Sequence, residues 1–137
     1  MADQVHLKII TPEKQVFEGE GDMVTVPAPQ GPVGILPHHA HLMSKVIPGE
    51  LIITKGSKRD YLAVGEGMVE VANGQVTITT DLAKSHEEID EKIAEEARIR
   101  AQEALTQTLS DEEYATTFAS LQKALAQLHV KRRRRNI

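Results

Sequence analysis

Every proline and glycine of this 137-residue chain lies before position 75: the six Pro fall between Pro12 and Pro48, the nine Gly between Gly19 and Gly74. Proline lacks the backbone N–H and fixes φ, and glycine destabilises helix interiors. The first part is therefore punctuated into short segments, while residues 75–137 meet no breaker. The partition predicts turn-rich β structure followed by helix, and the length suits one domain or one domain with an appendage.

Apolar alternation supports the first half of that reading. Val5, Leu7 and Ile9 fall on one side of an extended strand, and Met23–Val26, Leu51–Ile53 and Tyr61–Val64 are short β-prone runs bounded by turn residues. Asn73-Gly74 suits a type I′ turn, whose two central residues both take positive φ. A hairpin closed there pairs Val71 with Val76 and Val69 with Ile78 on one face. Lys55-Gly56-Ser57-Lys58 makes a second turn. Short strands at close spacing, with no helical run between them, predict an antiparallel β-sandwich or flattened barrel over residues 3–81.

The second half opens with Ser85-His86-Glu87-Glu88, the pattern of a reciprocal capping box, which predicts a helix starting at Ser85. Its expected stripe is Ile89, Ile93, Ala97, Ala101, Leu105 and Leu109. Ser110-Asp111-Glu112-Glu113 repeats the capping pattern, and Tyr114, Phe118, Leu121, Leu125 and Leu128 follow at helical spacing. Two helices joined by almost no loop form an antiparallel αα-hairpin. Each has one thin seam, so the pair should lean on the β part or on a partner. The fold class is thus α+β in two parts, a sandwich over residues 1–84 and a helical hairpin over 85–137.

Composition removes several kinds of chemistry. Cys is absent, which excludes disulfides, thiolate nucleophiles and Cys-bound metal clusters. Aromatics are 3% (Phe17, Tyr61, Tyr114, Phe118), too sparse for a base-stacking platform, so no nucleic-acid partner is expected. No apolar run reaches the roughly 18–20 residues of a membrane span. The first residues, Met-Ala-Asp-Gln-Val, resemble neither a signal nor a transit peptide, so the protein is expected to work where it is made. Phosphate-loop, nucleophile-elbow and His-Glu-x-x-His patterns are all missing.

One cluster invites a metal, His38-His39-Ala40-His41. On a strand, His39 and His41 would share a face, as in β-barrel metal sites. The next acid, Glu50, lies beyond Pro48-Gly49, and loop histidines in a Pro-flanked turn are the simpler reading. The acids Glu87, Glu88, Asp90, Glu91, Glu95 and Glu96 read as a solvated face with favourable charge near a helix N-terminus.

Charge is concentrated at one end. Lys131, Arg132, Arg133, Arg134 and Arg135 carry +5 of a net charge of −4, leaving −9 on residues 1–130. A cationic end on an acidic body suits an acidic protein surface or anionic lipid. These cations are expected to have few partners within their own chain.

At this point the residues resemble a known family. Gly31-Pro32-Val33-Gly34-Ile35-Leu36-Pro37-His38-His39-Ala40, then Ile47-Pro48-Gly49-Glu50-Leu51, is similar to the signature of the epsilon subunits of rotary F-type ATP synthases. Gly65-Glu66-Gly67 through Asn73-Gly74-Gln75-Val76-Thr77-Ile78, with Asp81-Leu82-Ala83, resembles the family's next block. Leu7–Pro12 and Ala126-Gln127-Leu128-His129-Val130 also fit, so the resemblance spans nearly the whole chain.

The resemblance implies a noncatalytic rotor subunit on the central stalk, coupling ion-driven rotation to ATP synthesis. Its sandwich would sit on the gamma subunit and the c-subunit ring, and its hairpin would fold down or extend into the alpha and beta subunits of the catalytic head to restrain hydrolysis. Docking loops map onto Gln30, Gly31, Pro32, Val33, Gly34 and Ile35 and onto Pro37, His38, His39, Ala40, His41 and Leu42. The hairpin's regulatory positions map onto Ile89, Asp90, Ile93, Arg100, Lys123 and Gln127, with Lys131–Arg135 as a latch for the extended state. Nucleotide-sensing members carry Ile/Leu-Asp-x-x-Arg-Ala where this chain reads Ile89-Asp90-Glu91-Lys92-Ile93-Ala94, and Lys123 and Gln127 stand where those members place Arg. Without those guanidiniums, no cofactor is implied and ATP binding is weak at best. The resemblance places the protein at the cytoplasmic face of a bacterial membrane, or the stromal face of a thylakoid, peripherally and through the complex alone. A metal-dependent β-barrel enzyme using His38, His39 and His41 is the competing reading.

Overall fold

The computed structural model describes residues 4–135, with side chains through Arg133. Ten strands precede two helices: β1 (Val5–Ile10), β2 (Gln15–Gly21), β3 (Met23–Val26), β4 (Val33–Ile35), β5 (Leu42–Val46), β6 (Gly49–Lys55), β7 (Lys58–Val64), β8 (Gly67–Ala72), β9 (Gln75–Thr80), β10 (Ala83–Ser85), α1 (Glu91–Ala104) and α2 (Asp111–Arg135). They form two five-stranded sheets, sheet A in the order β2-β1-β9-β8-β5 and sheet B in the order β10-β7-β6-β3-β4. The core lies between the sheets and is built from alternate residues. Val5, Leu7 and Ile9, with Val69, Val71, Val76 and Ile78, face Val24, Val26, Ile35, Leu51, Ile53, Leu62 and Val64.

The expected hairpin at Asn73-Gly74 is present: Asn73 and Gly74 have φ of 52° and 78°, Val71 pairs with Val76 and Val69 with Ile78. The second turn joins Lys55 to Lys58. One pairing departs from the antiparallel expectation. β1 runs parallel to β9, with Leu7 opposite Val76 and Ile9 opposite Ile78. Alternation alone carries no direction, because parallel and antiparallel neighbours bury the same every-other residue.

The chain changes sheets abruptly between β7 and β8. Val64 ends a strand of sheet B and Gly67 begins one of sheet A, so two backbones meet with almost no connection between them. A Cβ on Gly67 would lie 1.8 Å from the Thr79 carbonyl oxygen, and one on Gly65 would lie 2.1 Å from a carboxylate oxygen of Asp81. Glycine is required here by close approach. The corner is also tied by polar groups: the Glu66 N–H donates to Asp81 Oδ1 at 3.1 Å, and the Thr80 hydroxyl donates to the Glu66 carbonyl at 3.0 Å.

Helix α1 begins later than the capping pattern predicts. Only half of the Ser85-x-x-Glu88 box forms: the Ser85 N–H and hydroxyl both donate to Glu88 Oε1 at 3.0 Å, while the Glu88 N–H donates to the Ser85 carbonyl at 3.1 Å and closes a turn. The helix starts at Glu91, capped by Asp90, whose Oδ1 accepts the Ile93 N–H at 3.1 Å. A local box satisfies free N–H groups equally well in an isolated turn, so it does not by itself propagate helix. The helix ends at Ala104, and residues 105–110 connect it to α2, so Leu105 and Leu109 belong to a real linker. At α2 the second box is reciprocal: the Glu113 N–H donates to Ser110 Oγ at 3.1 Å and the Ser110 N–H to Glu113 Oε1 at 3.0 Å.

The expected stripes are also revised. Ile93 is 65% exposed, while Ala94 and Ala101 are the buried positions of α1. On α2, Tyr114 and Phe118 are 50% and 42% exposed, their rings stacked with centroids 6.2 Å apart. Farther along, α2 has two seams. Leu121, Ala124 and Leu128 are buried at helical spacing, while Ala126 and Val130 meet Ala63 and Ile89, beside Tyr61, on the outer face of sheet B. The hairpin therefore makes a third layer over β6 and β7. The expected division at residue 84 falls inside β10, which pairs with β7 from Ala83 to Ser85.

Two outcomes are expected. Gly67→Ala should destabilise the sandwich by roughly 3 kcal/mol or more in urea unfolding, because backbone and not a flexible side chain must yield. Acid should erode the Ser85 turn and the start of α2 in a defined direction. The Ser85 N–H and hydroxyl hold Glu88 below the ordinary 4.5 of a glutamate, and the Ser110 N–H does so for Glu113. Depressed carboxylates contribute stability that is complete above the unfolded value and lost as pH falls through the folded one. Far-ultraviolet ellipticity should stay flat from neutrality down to about pH 4.5 and fall below it, and Glu113→Gln should remove part of that acid response.

Candidate functional site

Two regions gather the residues singled out by the sequence, and they lie on different parts of the molecule. The first is the β4–β5 edge. The stretches Gln30–Ile35 and Pro37–Leu42 sit at the two ends of β4. The first includes a turn in which the Gly31 N–H donates to the Ala28 carbonyl at 2.9 Å, followed by Pro32 and β4 itself, Val33-Gly34-Ile35. Pro27, at the start of that turn, accepts the Ile47 N–H at 3.1 Å, which fixes it against the β5–β6 connection.

The second stretch is a loop and not a strand. His38 has a φ of 66°, the His39 N–H donates to the Leu36 carbonyl at 3.1 Å, and His39 Nδ1 donates to the Ala40 carbonyl at 2.7 Å. Strand β5 begins only at Leu42. The simpler reading, loop histidines in a Pro-flanked turn, is the one observed, and the strand alternative in which His39 and His41 share a face is not: a turn at Pro37-His38 carries the backbone out of the extended conformation first. His38, His39 and His41 line an open hollow of about 390 Å³ together with Gln4, Pro37, Asn73 and Gly74. Among the described residues no group of three or more His, Asp or Glu is placed to hold a metal ion. Nearby, Leu36 is 56%, Met43 68% and Met68 46% exposed, and Met43 and Met68 share the outer face of the β5–β8 pair.

The second region is where α2 ends against sheet B. Glu50 and Tyr61 are diagonal neighbours on its outer face, since Glu50 pairs with Ala63 and Ile52 with Tyr61. Arg133 reaches both. Its Nε and Nη2 donate to the two oxygens of Glu50 at 2.9 and 2.7 Å, and its guanidinium carbon lies 4.6 Å above the centre of the Tyr61 ring. Arg132 bridges the other way, donating from Nε to Glu91 and from Nη2 to Glu95, both at 2.9 Å. Lys131 Nζ donates to the His86 carbonyl at 2.8 Å, and Lys123 Nζ donates to Asp81 Oδ2 at 2.5 Å.

The cationic end is thus not short of partners in its own chain, contrary to expectation. Lys131, Arg132 and Arg133 all have them; the side chains of Arg134 and Arg135 lie outside the described residues. Electrostatics agree with the geometry. Glu95 is held below the ordinary carboxylate range chiefly by Arg98 and further by Arg132, and Arg132 and Arg133 are raised by their carboxylates. Glu91 and Glu95 are accordingly cross-helix partners, not merely a solvated face. Sequence reasoning missed Glu50, Tyr61 and Asp81. Only the Glu95–Arg98 pair, three residues apart on one helix, carries a local signal.

The remaining positions are dispersed. Ile89 is buried under α2, Asp90 caps α1, and Ile93 and Arg100 are exposed on α1. Gln127 Nε2 donates weakly to the Lys123 carbonyl at 3.4 Å. These groups do not converge on one cavity.

Comparison with known proteins follows the same two parts. Residues 4–86 match the family model described as ATP synthase, Delta/Epsilon chain, beta-sandwich domain, and residues 87–132 match ATP synthase, Delta/Epsilon chain, long alpha-helix domain. The chain is 39% identical over 132 residues to the ATP synthase epsilon chain of Herpetosiphon aurantiacus, covering 96% of this chain and 97% of the relative. It is 40% identical over 126 residues to that of Chloroflexus aggregans, covering 92% and 91%. The fold is similar to a chain in the cryo-EM structure of Euglena gracilis mitochondrial ATP synthase (OSCP/F1/c-ring), with a TM-score of 0.75 and 23% identity over 90% of this chain and 79% of that one. Matched through both its sandwich and its helices, the chain belongs to the ATP synthase delta/epsilon family, as an epsilon chain.

Proposed function

We propose that the chain is a noncatalytic central-stalk subunit that couples rotation to ATP synthesis through its sandwich and restrains ATP hydrolysis through its helical hairpin. The observation that carries this reading is the unequal construction of the two parts. The sandwich has a continuous core between two sheets, whereas the hairpin rests on sheet B through Ala63, Ile89, Ala126 and Val130, beside Tyr61. Burying a Val or Ile side chain contributes roughly 1.5–3 kcal/mol and an Ala much less, so so small an apolar contact is suited to release.

The partners follow the family. The sandwich would dock on the gamma subunit and on the c-subunit ring through Gln30–Ile35 and Pro37–Leu42, where Pro29, Pro32 and Pro37 hold the loops in shape at low ordering cost. The structural neighbour from Euglena gracilis is described with an F1/c-ring, which supports that assignment. The hairpin's alternative partners would be the alpha and beta subunits of the catalytic head. Among the described residues no helix is long and apolar enough to cross a membrane, and attachment to the cytoplasmic face would be through the complex.

The deciding experiment is ATP hydrolysis by the reconstituted catalytic complex with the full chain or with a form ending at His86, which keeps β10 whole. Hydrolysis should be faster without the hairpin while the shortened chain still binds gamma. An equal rate would overturn the inhibitory role, and loss of gamma binding would overturn the division of labour.

Nucleotide should have little part in this control. Ile93 offers no charge, Asp90 is engaged as a helix cap, and Lys123 is engaged by Asp81. Calorimetry on the isolated chain should show ATP binding no tighter than about millimolar, near −4 kcal/mol; micromolar binding would contradict it.

A further inference from the structure

We propose that the docked position of the hairpin is set by ionic strength and by competing carboxylates, with Arg133 clasped between Glu50 and Tyr61 as its bolt. This rests on the reading of the hairpin as a movable element and names what regulates it.

The argument begins with what holds the hairpin to sheet B. The apolar contribution comes from few and mostly small side chains, Ala63, Ile89, Ala126 and Val130. Three charged contacts add to it and join distant parts of the chain: Arg133 to Glu50, Lys123 to Asp81, and Lys131 to the His86 carbonyl. Of these, the Arg133 contact is the most specific. It is bidentate and stacked, a geometry that a planar guanidinium satisfies and an ammonium does not. Arg132 adds a tie within the hairpin, fixing the end of α2 to the start of α1.

The clasp is nevertheless open to water and ions. The Arg133 and Arg132 side chains are 46% and 49% exposed, and a cleft of about 620 Å³ lined by Glu50, His129, Arg132 and Arg133 opens directly onto them. Ion pairs in such a setting are screened by salt, whereas the alanine contacts are not. Release strands the Arg133 guanidinium, which loses its carboxylate, while Arg132 keeps Glu91 and Glu95 within the hairpin. An acidic surface can then take Arg133 up, so movement from one partner to the other exchanges like for like and leaves the two positions close in free energy. The same cation thereby serves both the docked state and any extended one.

The chain has no native cysteine, which makes the test direct. Nitroxide labels on Ser57→Cys, in the β6–β7 turn, and Gln107→Cys, in the helix linker, report the hairpin-to-sandwich distance in the isolated full chain. The docked distance should dominate at about 0.1 M NaCl and lose population at about 1 M, as the screening length falls from about 10 Å to about 3 Å. Glu50→Gln and Arg133→Gln should each lower the docked-to-released ratio at least about threefold at low salt. The double variant should go no lower than Arg133→Gln alone, because that single already removes the pair that Glu50→Gln removes. Arg133→Lys should fall below the native chain, and Glu70→Gln, on the outer face of sheet A, should match it.

A docked population indifferent to salt would overturn the proposal. So would additive effects of Glu50→Gln and Arg133→Gln, or a Glu70→Gln effect as large as that of Glu50→Gln, which would mean general charge and not this clasp. Because the ratio is read without the catalytic complex, these failures are distinct from a failure of the hairpin to restrain hydrolysis.

Discussion

Strand β7 has to be covered on both faces. Its last four residues, Tyr61-Leu62-Ala63-Val64, are apolar in succession, so Leu62 and Val64 point into the sandwich while Tyr61 and Ala63 point away from it. A strand of this kind leaves apolar surface in water unless a third layer is present. Helix α2 supplies that layer, and the alanine at position 63 allows it to lie close, with Ala126 directly involved in the contact. From this follow the second seam on α2, the burial of Ile89 ahead of α1, and the placement of Arg133 over Tyr61. Among the described residues sheet A has no such cover, and its outer face leaves Met43 and Met68 exposed.

Much of the sandwich could be read from local pattern because its determinants are local. The alternation of Val5, Leu7 and Ile9, the Asn73-Gly74 turn and the register it imposes are each decided within a few residues. The direction of β1 against β9 was not legible, since it depends on which distant strand lies alongside. The helical half shows the same limit. A capping box at Ser85 is a statement about N–H donors, not about the residues that follow, and Asp90 competes with it as a start. Helical spacing puts Ile93 and Ala101 in one stripe, but the face of α1 that packs is turned toward Ala94 and Ala101 and leaves Ile93 exposed.

The clasp illustrates why charged sites resist sequence reading more than cores do. Hydrophobic burial is non-directional, so composition and period suffice to find it. An ion pair needs two named atoms within about 4 Å, and Glu50 and Arg133 are 83 positions apart with nothing in either neighbourhood to announce the other. The basic run at the end of the chain was conspicuous. Its acids were scattered over β6 and α1, and only the stacking of hairpin on sheet brings them together.

The parallel pairing of β1 with β9 also bears on how the chain is made. β1 leaves the ribosome ahead of the rest of the sandwich and acquires β2 at once, but its other neighbour is complete only at Thr80. At roughly 5–20 residues per second, that interval lasts some seconds. Throughout it, an apolar strand carrying Val5, Leu7 and Ile9 has one edge unpaired and one face uncovered. The nascent sandwich therefore cannot close stepwise from its N-terminus. It waits for the Asn73-Gly74 hairpin to deliver β9 into the gap, and synthesis has to run through most of the sandwich before any of its core is dry.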